Sequence, residues 1–387
     1  MDFTPSIKAD EFRREVRDVI ASAFTDDVRE RMEATGTHHD WGIHRAIAEH
    51  GWLAAALPVA LGGQGRDAEQ LSALFQELEV AGAPYDGVSN VMMLAYILGQ
   101  VGSDFHRREI LPRLLGGQDI ICLGYSEPES GSDVAAATTR AEADGSDWVI
   151  NGQKMFTSVA EASQWVFLLT RTNQNVPKHR GLTFFLVDTA APGIEVREMR
   201  TMSGKRTNIT FYDNVRVSDE YRVGEVDGGW DVMRVALSFE RGVAGGVSGG
   251  RQLLADALSY ARVTGDDDGH LLIDDPSVRD RLVHVAIDNE ITELLAQRAA
   301  WVAISGALPG QEGSECKLFA TEAFTRAAEH LLDILGPDGV VQGPGAPNGG
   351  HLEHGFRLAP VTTIWGGTSE IQKNLIAERG LGLPRRR

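Results

Sequence analysis

A chain of 387 residues can bury a large hydrophobic core and divides most naturally into two or three domains. Its 37 Lys and Arg against 55 Asp and Glu leave a net charge of −18, with the acids spread along the chain, which argues against nucleic acid or an anionic membrane as the main partner. A small anionic ligand stays open, because backbone donors and a few cations hold phosphates inside acidic proteins.

Cys122 and Cys316 are far apart in sequence and lie in apolar or mixed surroundings, so they read as reduced thiols rather than as a disulfide or metal framework. The N-terminus carries Lys8, Arg13, Arg14 and Arg17 among acids and has no apolar core of a signal peptide. No run reaches the roughly 18 apolar residues of a spanning helix. A soluble, cytoplasmic protein is the expectation.

In chain order, residues 6–24 place Ile7, Phe12, Val16, Val19, Ile20, Ala23 and Phe24 on one face of an amphipathic helix. Helical patterns follow at 41–50, 67–81, 87–101 and 104–115, so the first part of the chain reads as all-helical. Beyond Gly116-Gly117 the texture changes to short β-type runs at 120–125, 148–150, 164–171, 182–187, 194–199 and 207–217, separated by turn signals such as Asp144-Gly145 and Pro192-Gly193. Long helical patterns return at 229–264, 276–306, 313–335 and 367–379. The expected fold is α+β: an N-terminal helical domain over 1–117, a middle β-barrel or sandwich over 118–226, and a C-terminal four-helix bundle over 227–387.

Three stretches carry chemistry. Gly124-Tyr-Ser126-Glu-Pro-Glu-Ser130-Gly-Ser132-Asp133 follows the first strand and offers hydroxyls and backbone N–H groups to a polar ring or a phosphate, or else is an ordinary capped turn. Phe239-Glu240-Arg241 sits between Val232, Met233, Val235, Ala236 and Leu237 on one side and small residues on the other. Adjacent charges of this kind are usually solvated, but a carboxylate in such surroundings could be desolvated enough to act as a base near neutrality. Lys178-His179-Arg180 is cationic and reads either as a phosphate contact or as a solvated loop. The histidines lack metal-like spacing and no metal site is assigned. Met92 and Met93 read as core. The glycines at 242, 245, 246, 249 and 250 cost about 1 kcal/mol each in a helix interior, and either widen a cavity or permit close helix packing.

The first of these stretches resembles the acyl-CoA dehydrogenase signature. Trp148-Val-Ile-Asn-Gly-Gln-Lys154-Met-Phe156-Thr-Ser158 is similar to that family's second flavin-contacting strand, Gly366-Gly-Thr368-Ser-Glu-Ile-Gln372 to its C-terminal helix, and Gly51-Trp-Leu with Gly62-Gly-Gln-Gly to its N-terminal domain. The resemblance covers nearly the whole chain. It implies FAD at the junction of three domains and a CoA thioester whose acyl chain lies against the flavin. It implies that Ser126 bonds the pyrimidine side of the isoalloxazine, Ser158 the region of N5 and Ser132 the pyrophosphate, and that Thr368 and Gln372 complete the FAD site. Phe156 takes a place where Trp is usual and could still stack beside the flavin.

Many members carry the catalytic Glu immediately before Gly-Thr-Ser, where this chain has Gly366. Isovaleryl- and long-chain-type members carry it in a Glu-Arg pair on the first bundle helix, the position of Glu240, as do actinobacterial FadE-type members. The resemblance therefore implies that Glu240 takes the α-proton, that the backbone N–H of Gly366 polarises the thioester carbonyl, and that β-hydride passes to flavin N5. Arg241 would orient Glu240, face the flavin or form a structural ion pair.

Where the family has an Arg-x-x-Phe-Gly turn for a neighbour's adenine, this chain reads Arg262-Val-Thr-Gly265-Asp-Asp-Asp268, and Asp333 stands where Gln is usual. Such acids repel a pyrophosphate. The assembly implied is a homotetramer or an α2β2 tetramer with a paralogous subunit, in which this chain has little activity alone. Electron-transfer flavoprotein is the implied acceptor, a bulky or steroid-derived acyl-CoA the implied substrate, and an oxidase or monooxygenase on the same scaffold the alternative reaction.

Overall fold

A computed structural model describes residues 6–243, 249–265, 268–304, 310–343 and 345–384. The helices that precede the sheet are α1 (Ile7–Ala23), α2 (Asp26–Thr35), α3 (Trp41–Glu49), α4 (Ala68–Val80), α5 (Asp86–Val101) and α6 (Leu111–Leu115). The strands are β1 (Ile121–Gly124), β2 (Arg140–Asp144), β3 (Asp147–Lys154), β4 (Trp165–Arg171), β5 (Leu182–Asp188), β6 (Ile194–Arg200), β7 (Arg206–Ser218) and β8 (Arg222–Val223). Then come α7 (Gly229–Val243), α8 (Gly250–Ala261), α9 (Pro276–Ile304), α10 (Glu312–Leu335), α11 (His351–Thr362) and α12 (Ser369–Leu375). The chain divides into two compact units, one of residues 14–67 and 81–240, the other of residues 1–13, 68–80 and 241–387.

The first unit is built on an eight-stranded sheet in the order β6-β7-β3-β2-β4-β5-β8, with β1 added parallel to β4. β5 is buried along six consecutive residues, Leu182 to Val187, so both of its faces are covered. β6 is an edge strand, and its Glu195, Arg197, Glu198 and Arg200 pair with one another along the strand, a charged rim that discourages edge-to-edge pairing. The sequence pattern does not signal β2, because Arg-Ala-Glu-Ala-Asp has no β-branched or aromatic residue. Its strand character comes from pairing with β3, Arg140 to Asn151 through Asp144 to Asp147, across a two-residue turn with Gly145 at φ 66°. α5 is apolar nearly all round, with Val88, Val91, Met92, Leu94, Ile97 and Leu98 buried, as the reading of Met92 as core required.

α3 starts where the Asp40 carboxylate accepts the Ile43 N–H at 3.0 Å. His39 and His44 are buried there against Trp41, with ring centroids 4.6 Å from His39 to Trp41 and 5.3 Å from His39 to His44. Burial lowers their pKa values from 6.5 to about 4 for His39, against the pull of Asp40, Glu161 and Asp86, and to about 3 for His44, helped by His39 and Arg45. Folded values below the unfolded one mean that the folded state binds fewer protons, so this stabilisation is complete above pH 6.5 and is lost as the pH falls through the folded values. Denaturant midpoints should fall between pH 6.5 and pH 4, each imidazole contributing a slope of up to about 1.4 kcal/mol per pH unit. A His39→Leu/His44→Leu variant should flatten that slope, and an unchanged slope would contradict the assignment.

In the second unit α1 and α4 meet through Arg13, which donates to Gln76 at 3.0 Å and lies 3.6 Å from the Glu77 carboxylate. Leu253, Val285, Phe324, Ala328, Leu331 and Leu352 belong to one buried cluster from α8, α9, α10 and α11. The sequence pattern misses α11 because Gly355 and Pro360 read as helix breakers. Gly355 is there for packing: a Cβ would lie 2.8 Å from both methyls of Leu253. The helical pattern over 229–264 resolves into α7 and α8, and residues 244–248 between them lie outside the described residues.

Candidate active site

The signature loop leaves β1 at Gly124, where a Cβ would lie 2.8 Å from the Leu168 side chain. Glu127, in this loop, turns inward. Its Oε2 accepts the Thr138 N–H and hydroxyl, both at 2.7 Å, and its Oε1 accepts the Thr139 N–H and the Lys154 ammonium, both at 2.8 Å. Lys154 is fully buried and also donates to the Tyr125 carbonyl at 3.2 Å. Burial pushes the Glu127 carboxyl up, but Lys154 and the threonine donors outweigh it and hold the carboxyl at about 2. Burial pulls Lys154 down to about 8 against Glu127, so both are charged at neutral pH. The pair thus fixes Tyr125 and Glu127 on either side of Ser126, which is half-buried.

The Ser126 carbonyl accepts the Met155 N–H at 2.9 Å, which ties the loop to the segment after β3. There Phe156 and Val159 stand at φ 59° and 58°, a region that costs bulky and β-branched residues about 1–3 kcal/mol each. Phe156 is 59% exposed, so a large aromatic ring is held outward on a strained backbone. Ser158, between the two strained residues, is half-buried and shares a hydrogen bond with the Thr207 hydroxyl at 3.3 Å. Ser126, Phe156 and Ser158 are therefore brought together by these two joined segments. Ser132 is exposed on the far part of the loop. Beside it Asp133 pairs with Lys178 at 2.6 Å, and Arg171 donates to the carbonyls of Ala135, Ala137 and Lys178 at 2.5, 3.2 and 2.6 Å. The cationic Lys178–Arg180 turn is thus stapled to the signature loop.

α7 is anchored where it begins. Asp227, at φ 63°, accepts the Thr172 hydroxyl at 2.5 Å and the Asn173 amide at 3.2 Å, and a Cβ on Gly229 would lie 2.7 Å from the Leu182 carbonyl. Phe239 is buried on α7, its ring 5.5 Å from that of Tyr96. Glu240 and Arg241 follow in the same helix, and their side chains, like the segment 244–248, lie outside the described residues.

The second unit holds the turn before α12. Gly366 and Gly367 have φ 62° and 92°, which glycine alone adopts at no steric cost. Buried Gln372 donates to their carbonyls at 2.9 and 3.3 Å, and the Lys317 ammonium donates to that of Gly367 at 2.6 Å. Thr368 caps α12 by accepting the Ile371 N–H at 3.3 Å. Thr368 and Gln372 therefore shape the Gly366 turn directly. A cleft of about 490 Å³ opens beside it, lined by Glu322, Arg326, Thr363, Thr368, Glu370 and Lys373. Lys373 pairs with Glu322 at 2.9 Å and Arg326 with Asp288 at 2.9 Å.

Asp333 pairs with Arg281 at 2.7 Å, and Asp338 accepts the Tyr260 hydroxyl at 2.9 Å. Asp266 and Asp267 lie outside the described residues.

Sequence reasoning missed the Glu127–Lys154 pair, although a signal exists. Lys154 has the parity of Trp148 and Ile150, the inward positions of β3, and an inward Lys demands a buried acid.

Residues 7–118, 122–215 and 227–381 match the N-terminal, middle and C-terminal domains of acyl-CoA dehydrogenases. The chain is 34% identical, over 100% of its length and 99% of the relative's, to the acyl-CoA dehydrogenase FadE26 of Mycobacterium tuberculosis. Its fold is similar to a chain of the ChsE4-ChsE5 complex from Mycobacterium tuberculosis, with TM-score 0.90, 32% identity and 100% of each chain covered. It is similar also to the Tcur3481-Tcur3483 steroid acyl-CoA dehydrogenase, with TM-score 0.88, 30% identity and 100% of each chain covered.

Proposed function

This chain belongs to the acyl-CoA dehydrogenase family of oxidoreductases, and we propose that it converts an acyl-CoA thioester to the trans-2-enoyl-CoA with Glu240 as base and FAD as cofactor. The observation that carries the choice of base is Gly366. The turn that holds a carboxylate in many relatives has no side chain here, and α7 brings Glu240 to the end of a helix anchored at Asp227 and Gly229.

The residues of the first unit suit a flat, polar aromatic group. Half-buried Ser126 and Ser158 belong to the two joined segments that also carry the exposed Phe156, and the buried Ser130 hydroxyl lacks a partner among the described residues. Ser126 and Ser158 would hold the flavin ring, Ser132 the pyrophosphate, and Thr368 and Gln372 would keep the neighbouring turn in shape. FAD, when bound, supplies a hydride acceptor at N5. Glu240 takes the α-proton while the thioester carbonyl, accepting the Gly366 N–H, stabilises the charge that develops on oxygen. Gly366 stands where many relatives carry the catalytic Glu, so of these two positions only residue 240 supplies a carboxylate. Arg241 is a candidate for orienting it.

We place the chain in a two-subunit-type assembly, acting in the cytoplasm on a bulky, steroid-like acyl-CoA with electron-transfer flavoprotein as acceptor. Asp333 and Asp338 are committed to Arg281 and Tyr260, which leaves acids where a neighbour's adenine would be gripped. On α9, Val283, Ile287, Ile291, Leu294 and Trp301 make a stripe between 36% and 55% exposed, which supports a subunit contact. Its identities of 32% and 30% to chains from the ChsE4-ChsE5 and Tcur3481-Tcur3483 structures point the same way. The chain purified alone should carry well under one FAD per chain, measured by absorbance after denaturation. A full equivalent would contradict the partner requirement and favour a homotetramer.

A further inference from the structure

We propose that Glu161 is a positioning residue that, acting through Asn208, holds the strained segment Phe156–Val159 so that the Ser158 hydroxyl faces the cofactor. This rests on the reading of Ser158 as a flavin contact. Two bulky residues at positive φ, three positions apart, do not keep that conformation unaided, and beside bonds to Ser126, Thr207 and Thr210 the segment is held by two bonds to Asn208. Asn208 is 1% exposed and brackets Thr157 from both sides: its carbonyl accepts the Thr157 N–H at 2.9 Å, and its Nδ2 donates to the Thr157 carbonyl at 3.0 Å. The same Nδ2 donates to Glu161 Oε2 at 2.7 Å. An amide side chain can present either end, and an ionised carboxylate only accepts. Glu161 therefore forces the NH₂ end of Asn208 toward itself and toward Thr157. Burial opposes the ionised form, but Arg206 and Asn208 outweigh it and the carboxyl is held low.

Glu161 is itself fixed. The Arg206 guanidinium reaches its Oε1 at 2.7 Å, and the Arg206 N–H donates to the Gly36 carbonyl at 2.8 Å. Gly36 stands at φ 69°, where a Cβ would lie 2.8 Å from the Gly204 carbonyl, so only glycine makes this contact. Arg206, Thr207 and Asn208 are consecutive in β7. One strand thus orients Glu161, bonds Ser158 and brackets Thr157.

The test uses Glu161→Ala, Glu161→Gln, Ser158→Ala and the double variant Ser158→Ala/Glu161→Ala, with FAD titrated into the deflavinated, purified assembly. Glu161→Ala should weaken FAD binding roughly tenfold, as second-layer partners of a cofactor site do. Glu161→Gln should recover part of that loss, and it keeps the question open to measurement if the alanine variant folds poorly. Because Glu161 acts through Ser158, the double variant should bind FAD as Ser158→Ala does, without a further loss. Losses that multiply in the double variant, or Glu161 variants with wild-type affinity beside a weakened Ser158→Ala, would overturn the positioning role. Wild-type affinity in Ser158→Ala would instead overturn the flavin contact on which it rests.

Discussion

Glu240→Gln should reduce the rate of acyl-CoA oxidation by about a thousandfold, within the 10²–10⁴ range of a positioned general base. The substitution keeps the shape and helix propensity of the side chain, so α7 should persist. A glutamine cannot accept the α-proton. The effect should fall on kcat and on the single-turnover rate with little change in acyl-CoA binding, since the carboxylate is needed in the transition state rather than for uniform binding. Loss confined to KM would assign Glu240 to substrate binding. Gly366→Glu in the Glu240→Gln background is a harder test. Restoring a carboxylate there must overcome the cost of a side chain at φ 62°, so recovery should be small.

Lys154→Met should have the largest effect on stability. It leaves the Glu127 carboxylate buried, facing Thr138 and Thr139 without its cation. Removing one partner of a buried pair costs about 3–5 kcal/mol, whereas replacing both by neutral groups is close to neutral. Denaturant unfolding should therefore show Lys154→Met as strongly destabilised and Lys154→Met/Glu127→Gln as partly recovered, because the glutamine has one oxygen for the two N–H groups of Thr138 and Thr139 that the carboxylate accepts. A double variant as weak as the single would mean that Lys154 matters through its bond to the Tyr125 carbonyl rather than through Glu127.

α1 and α4 were legible from apolar residues spaced at 3.6, α5, α9 and α10 as long helical runs bounded by turn signals, and so was the change to strands after Gly116-Gly117. β2 and α11 were not. Pairing with β3 overrides poor local propensity in the first, and a glycine demanded by close contact with Leu253 masquerades as a breaker in the second. The motifs singled out Ser126, Phe156, Ser158 and Gly366 as candidates, because short loops of hydroxyls and glycines carry their own chemistry. The groups that hold those motifs were invisible. Glu127 meets Lys154 across 27 positions, Asp133 meets Lys178 across 45, and Glu161 meets Asn208 across 47. Nothing in the spacing of charges marks such pairs until the sheet register is known.

The cationic Lys178–Arg180 turn illustrates the same limit. Its sequence left a phosphate contact and a solvated loop both open, and neither reading included the Asp133 partner or the Arg171 staple.

The most direct test of the account is anaerobic mixing of the FAD-loaded assembly with a panel of acyl-CoA thioesters of increasing bulk, followed by absorbance of the flavin. At least one thioester should bleach the flavin in a single turnover and leave the corresponding 2-enoyl-CoA, with the bleaching slowed about a thousandfold in Glu240→Gln. A loaded wild-type protein that no thioester bleaches, or a Glu240→Gln protein that bleaches as fast as wild type, would contradict it.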